Sequence, residues 1–337
     1  MSITPDGSPA PELSFAGTVD LALLHRRNPD EAFLTDAVQT GPHNFVAAAL
    51  LPPGHPHYAA QTGPSRDRDP MLLLECARQA ETYAAHAMFG VEPDARFVLR
   101  NWSAEFAGAP AAVQGGGPTE LVITAVTGNR QLVRDRLRGL DYDLQLWVTG
   151  AWAGRVRMAV GYLSGAAYTV LRQRKHNGPP PSSDDLTPTA GSPVAPSRIG
   201  RRRATDAVLL DVESRANLIT ARLRIPAENP SLFDHTQDHV PAMVLVEAAR
   251  QLAALATHEW GGAPPDRTGM AAMSSSFGAY AELTEPVELT ATPVDGRSVE
   301  VTFRQAGTDI AQARITMSRP ARATERGRGP RWLVPRS

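Results

Sequence analysis

Residues 241–251 read PAMVLVEAARQ and residues 70–80 read PMLLLECARQA. Each is an apolar run broken by a Glu, an Arg three positions later and then a Gln. In the longer stretch PAMVLVEAARQLAALATHEW (241–260), Glu247, Arg250 and Gln251 are the only polar side chains of the first four turns. A helix apolar almost all round is wrapped by other structure instead of lying on a surface. A charge inside such a wrapping costs several kcal/mol unless it is paired or opens onto a wet cavity. Glu and Arg at i and i+3 can touch, and Gln at i+4 shares the face of the Glu. The pattern therefore has two readings. One is a self-satisfied pair that pins helix register; the other is a polar site lined by Glu75, Arg78, Glu247 and Arg250.

The two stretches belong to a longer repeat. Setting Glu75 against Glu247 aligns Met71 with Met243, Arg78 with Arg250, Gln79 with Gln251 and His86 with His258. Upstream, NFVAAALLPPGHPHY (44–58) faces NLITARLRIPAENPSLF (217–233), each a strand-like run followed by a Pro-containing turn. Downstream, Tyr142, Leu144, Leu146 and Val148 alternate along one face, as do Val156, Met158, Val160 and Tyr162. The second half answers with Val299, Val301 and Phe303, then Ala311, Ala313, Ile315 and Met317. A period of two over such runs indicates antiparallel strands with one buried face. Strand, sheathed helix, then strands is the hot-dog arrangement, and two tandem copies make a double hot dog of the α+β class. The expected organisation is a disordered stretch at 1–14, a first hot-dog domain at 15–174, a Pro/Ser-rich mobile linker at 175–197, a second domain at 198–320 and a disordered tail at 321–337. Pro70 and Pro241 suit a first helical turn, and Asp69 suits the N-cap of the first helix.

Composition narrows the function. With 337 residues, 42% of them hydrophobic, the chain can bury a large core. Its net charge of −1 gives no global field for nucleic acid or an acidic membrane. Lys175 is the only lysine among 34 basic residues, a bias that fits a GC-rich genome better than a binding code. The single Cys76 excludes an internal disulfide and fits a reducing compartment. No apolar run approaches the roughly 20 residues that span a bilayer and no signal peptide is evident, so a cytoplasmic protein is expected. Cys76 should face away from Glu75, since successive helix residues point about 100° apart. His235 and His239, with Asp234 and Asp238, have a weak metal spacing; loop capping or a place in a cavity wall is the better reading, and assistance to proton transfer by one His is a lesser alternative. Ser274–Ser276 reads as a turn and GGG at 115–117 as a loop. NRQLVRDRLRGLD (129–141) and RIGRRR (198–203) are basic clusters, read as solvated surface or as docking sites for an acidic carrier protein.

The chain also resembles the A-factor biosynthesis family, the γ-butyrolactone synthases of actinomycete signalling. The most specific block is LFDHTQDHVPAMVLVEAARQ (Leu232–Gln251). LLHRRNPDEAFLTD (Leu23–Asp36), DPMLLLECARQA (Asp69–Ala80) and RIGRRRATDAVLL (Arg198–Leu210) are similar to further blocks, in order. Departures are Ala242 where Gly is usual, Asn229 where His is common, and a loop lengthened at PSRDR (64–68). The resemblance implies an acyltransferase that joins a β-ketoacyl group, carried on acyl carrier protein, to a hydroxyl of dihydroxyacetone phosphate; the fold alone would also allow a hot-dog thioesterase or dehydratase, or a non-catalytic acyl-binding regulator. The ester closes to a phosphorylated butenolide, a precursor of a γ-butyrolactone or butenolide signal, and no cofactor is called for. The residue chemistry fits: a buried Glu can be tuned as base, a helix N-terminus supplies oxyanion donors, and Arg binds phosphate bidentately. Glu247 is accordingly expected as base and Arg250 as phosphate or carbonyl ligand, with Glu75 as alternative base. Arg78, Gln79, Gln251, His235, His239 and Asp238 are expected around the substrate. A monomeric pseudo-dimer or a homodimer is consistent with the repeat.

Overall fold

The structure, a computed structural model, describes residues 12–60, 69–107 and 117–318. The first half comprises β1 (Leu34–Gly41), β2 (Asn44–Leu51), helix α1 (Pro70–Ala87), β3 (Arg96–Phe106), β4 (Thr119–Val133), β5 (Arg136–Val148) and β6 (Ala151–Leu163). Helix α2 (Gly165–His176) comes next. The second half comprises β7 (Leu209–Arg215), β8 (Leu218–Leu223), β9 (His239–Val240), helix α3 (Ala242–Gly261), β10 (Met270–Phe277), β11 (Ala281–Glu282), β12 (Val287–Pro293), β13 (Ser298–Gln305) and β14 (Thr308–Met317).

Twelve strands make one antiparallel sheet in the order β1-β2-β4-β5-β6-β3-β10-β14-β13-β12-β8-β7, and β9 pairs separately with β11. The order reads alike from both ends. Each half contributes six strands, and the halves join where β3 runs against β10, from Glu105 opposite Ala272 to Asn101 opposite Ser276. The alternating residues named from the sequence all face inward and are buried, as in β5 and β6. They wrap α1 and α3, whose Leu74, Val244, Leu252 and Leu255 are fully covered. Each such side chain contributes roughly 1.5–3 kcal/mol, so the helices are held by their sheath more than by propensity.

The local punctuation differs between the helices. Asp69 caps α1, its carboxylate accepting from Met71 N at 2.8 Å, with Pro70 in the first turn. In α3 the cap position is Pro241 itself, and no side chain caps the helix.

Several sequence expectations shift. Ser274–Ser276 are not a turn but the middle of β10, the strand that joins the halves. The linker begins later than expected, because Lys175 lies inside α2. The segment between α2 and β7 is anchored: Ser183 N donates to Gln237 O at 2.8 Å, Pro193 bridges to Leu210 and Val194 is buried. Ser14 is tied to β1 through Asp36, whereas residues 1–11, the PSRDR loop, most of GGG and the expected tail lie outside the described residues. No helix among the described residues is long and apolar enough to cross a membrane.

Candidate active site

Each central helix carries the same cluster of four side chains. Around Glu75, Arg78 donates from Nε at 2.8 Å and Nη2 at 2.7 Å, Arg26 from Nε at 3.1 Å and Gln79 from Nε2 at 2.7 Å. Around Glu247, Arg250 donates at 2.8 and 2.7 Å, Arg201 from Nε at 2.9 Å and Gln251 at 2.6 Å. Both glutamines also bind the incoming backbone. Gln79 accepts from Phe33 N and Leu34 N and donates to Glu31 O, while Gln251 accepts from Val208 N and donates to Asp206 O. Burial would raise the Glu75 carboxyl, but Arg26 and Arg78 outweigh it and hold it at about 2. At Glu247 burial is likewise overcome by Arg201 and Arg250, and the carboxyl lies well below the usual range. Two guanidiniums and an amide leave each carboxylate a poor proton acceptor near neutrality.

The clusters differ in what lies beside them. A cavity of about 480 Å³ opens between the halves, bounded by Arg78 and Arg26 on one side and by the start of α3 on the other. Arg78 keeps 23% of its side chain in solvent; Arg250 keeps 4%. Ala242 and Met243, the first residues of α3, border the cavity, so the uncapped N–H end of that helix faces it. The segment preceding α3 supplies His235 from its loop and His239 from β9. His239 Nδ1 lies 2.6 Å from Asp238 Oδ1. Asp238 also accepts from Tyr168 Oη at 2.7 Å and Arg172 Nε at 3.0 Å. Burial would raise Asp238, but its hydrogen bonds to His239 and Tyr168 keep it ionised, well below its ordinary value. Arg172, on α2, further holds Glu282 through two bonds at 2.8 and 2.7 Å. Helix α2 thus fastens the β9–β11 pair that carries His239. His235 pairs with Asp234, whose oxygens accept from Arg27 N and Asn28 N of the other half. Away from the mouth the wall is apolar, with Leu99, Trp102, Met158, Val160 and Leu245.

The A-factor biosynthesis hotdog domain matches residues 8–164 and 182–319, which takes in both halves. The chain belongs to this family. It is 32% identical over 300 residues to the 2-oxo-3-(phosphooxy)propyl 3-oxoalkanoate synthase of Streptomyces virginiae, covering 87% of this chain and 95% of that one. The enzyme of the same name from Streptomyces coelicolor is 31% identical over 315 residues, covering 90% and 92%. Among solved structures, the dehydratase domain from the CurF module of curacin polyketide synthase superposes with a TM-score of 0.50 at 7% identity, over 89% of this chain and 99% of that one, a likeness of fold alone.

Within this member of the A-factor biosynthesis family, the expected site residues separate. Arg78, His235 and His239 line the cavity, and Asp238 stands behind His239. Glu75, Gln79, Glu247, Arg250 and Gln251 do not line it. Their polar groups are spent on one another and on backbone, so the substrate-binding role expected of the glutamines and the basic role expected of Glu247 lack an accessible atom. The two expected halves of one site, the FDHTQDHVP loop and the Glu247–Arg250 pair, fall on opposite seams. The fold crosses over: the approach to α3 packs against α1, and its cavity takes its guanidinium from the first copy. RIGRRR is also corrected, since Arg201 is wholly buried in the Glu247 cluster and Arg203 pairs with Asp206. Cys76 is core, its thiol pushed well up by burial and by Glu75.

Sequence reasoning passed over Arg26, Tyr168, Arg172 and Glu81. Arg26 and Arg201 sit in matching basic blocks, a pairing visible once the repeat is aligned. Glu81 lines the cavity yet is 2% exposed, and the repeat register puts Ala253 opposite it. An acid on a sheathed face in one copy, facing alanine in the other, was a readable signal.

Proposed function

We propose that this cavity joins a 3-oxoacyl group, delivered as a thioester on an acyl carrier protein, to the hydroxyl of dihydroxyacetone phosphate. The product is the 2-oxo-3-phosphooxypropyl 3-oxoalkanoate ester, a precursor of a phosphorylated butenolide and of a γ-butyrolactone-type signal. The observation that carries the reading is the meeting, at one mouth, of a His–Asp pair, an uncapped helix N-terminus and an accessible arginine beside an apolar cavity.

The chemistry divides among them. His239, with Asp238 holding Nδ1, takes the acceptor hydroxyl's proton at Nε2 as the oxygen attacks the thioester carbonyl. The N–H groups at Ala242 and Met243 stabilise the oxyanion, and the positive end of α3 adds to their effect. As the tetrahedral adduct collapses, the carbon–sulfur bond breaks and His239 returns the proton to the leaving thiolate. Arg78 anchors the phosphate, with Arg96 and Lys175 on the cavity wall adding positive charge for it. The acyl chain lies against Leu99, Trp102, Met158 and Val160. Residues of both halves line the cavity, so the two copies of the pseudo-dimer build it together.

Mass spectrometry of the products from a 3-oxoacyl thioester and dihydroxyacetone phosphate tests this directly. The ester, or the butenolide phosphate derived from it, is expected, with little product when the acceptor lacks its phosphate. Release of free 3-oxo acid regardless of acceptor would indicate a thioesterase instead.

A further inference from the structure

One buried acid at the cavity takes no part in this chemistry. Glu81 lies one turn beyond Arg78 on α1 and borders the cavity, though almost nothing of it reaches solvent. Unlike Glu75 it forms no ion pair among the described residues. Tyr162 Oη donates to its Oε1 at 3.1 Å, and Tyr142 Oη lies 2.7 Å behind Tyr162. Its Oε2 is 3.1 Å from Thr82 Oγ1. That hydroxyl is also 2.9 Å from the Arg78 carbonyl, so its one proton cannot serve both neighbours. A proton resident on Oε2 satisfies the arrangement: Thr82 donates to the carbonyl and accepts from Glu81. Tyr162 shares its face of β6 with Val160 and Met158, and its ring packs 4.8 Å from Phe97, all three of which line the cavity. Glu81 therefore borders the wall on which the acyl chain is proposed to lie. Trp102, on the same wall, is 1% exposed and its indole Nε1 has no partner among the described residues. Two donors in an apolar wall suit a chain that carries an oxygen partway along it.

We propose that Glu81 selects 3-oxoacyl over saturated acyl chains by turning its Oε2 proton from Thr82 Oγ1 to the ketone oxygen, with the Trp102 indole N–H beside it as a second donor. The proposal rests on the acyl-transfer reading of the cavity and adds the group that reads the acyl chain. Burial raises the Glu81 carboxyl to about 7, against the Thr82 hydrogen bond, the Arg78 charge and the Tyr162 hydrogen bond. Arg78 on its own helix, Tyr162 on β6 and Tyr142 on β5 are the titratable or charged groups that face it. The donor is thus present below about pH 7 and lost above it.

The test compares kcat/KM for a 3-oxoacyl and a saturated acyl thioester of equal length, with dihydroxyacetone phosphate, from pH 6 to pH 8.5. The wild-type preference for the 3-oxo chain is expected to fall as pH rises through about 7. Glu81→Gln, which keeps a neutral donor, should hold the preference and flatten its pH dependence. Glu81→Leu should lower the preference roughly tenfold or more, chiefly by losing the 3-oxo substrate. Equal loss on both substrates, or an unchanged ratio in Glu81→Leu, would overturn the proposal. Thermal midpoints of the two variants separate loss of recognition from loss of fold. If the wild-type protein transfers neither chain to the acceptor, the acyl-transfer reading itself fails, a result distinct from any of these ratios.

Discussion

Around Glu75, the fourfold cluster stands at the edge of a cavity and Arg78 reaches solvent; around Glu247, the same atoms in the same geometry lie fully enclosed. The helix starts differ in the complementary sense. The N-terminus of α1 is occupied by its own Asp69, which also lies 3.5 Å from Arg201, while that of α3 faces the cavity without a cap. The duplicated charge cluster is therefore first a structural device, binding each helix to its incoming strand through Gln79 or Gln251. The proposed site lies where one copy opens and its neighbour leaves donors exposed.

The contrast is broken most sharply by giving α3 the cap that α1 has. Pro241 has an extended conformation that suits an N-cap. Pro241→Asp should add about 1 kcal/mol of stability through capping, yet lower turnover by about 100-fold or more, because its carboxylate occupies the oxyanion donors. Unimpaired turnover with the added stability would remove the α3 N-terminus from the chemistry.

The second contrast is in stability. Glu247→Gln strands two buried guanidiniums and should cost about 3–5 kcal/mol in chemical denaturation. Glu75→Gln should cost less, since Arg78 can turn to solvent. The pH dependence has a definite sign. Glu75 has its pKa lowered on folding from 4.5 to about 2, so its contribution is complete above about 4.5 and is lost as pH falls through about 2. Glu247, also lowered, behaves in the same direction. Each Gln variant should therefore show a weaker acid dependence of stability than the parent. Equal losses for the two variants at pH 7 would erase the distinction between the seams.

Much of this was legible in the chain. The alternating residues, the sheathed helices, the duplicated Glu-x-x-Arg-Gln and the Asp69 cap all follow from periods of two and 3.6, which local chemistry imposes. The assignment of partners was not. Sequence proximity joined the FDHTQDHVP loop to Glu247, but the pseudo-twofold arrangement hands that loop to α1, and no local pattern records the exchange. Arg201 was hidden for a similar reason: a run of arginines reads as surface until a buried carboxylate is known to face one of them. Arg172 and Tyr168, at the end of the first half, were hidden because an amphipathic turn of α2 that grips Asp238 and Glu282 resembles an exposed helix in isolation.

The smallest expected effect concerns the closed seam. Asp69→Ala removes the α1 cap and should cost about 1 kcal/mol by denaturant titration, with turnover per folded molecule unchanged. Loss of activity at retained stability would mean that the first helix start also handles substrate.

The most direct measurement compares turnover per folded molecule, with phosphorylated acceptor, for Arg78→Ala and Arg250→Ala. If the cavity beside α1 is the working site, Arg78→Ala remains folded with turnover lowered by about 100-fold or more. Arg250→Ala then loses several kcal/mol of stability, while its folded fraction turns over like the parent. A stable, inactive Arg250→Ala beside a fully active Arg78→Ala would contradict this and move the chemistry to the Glu247 seam.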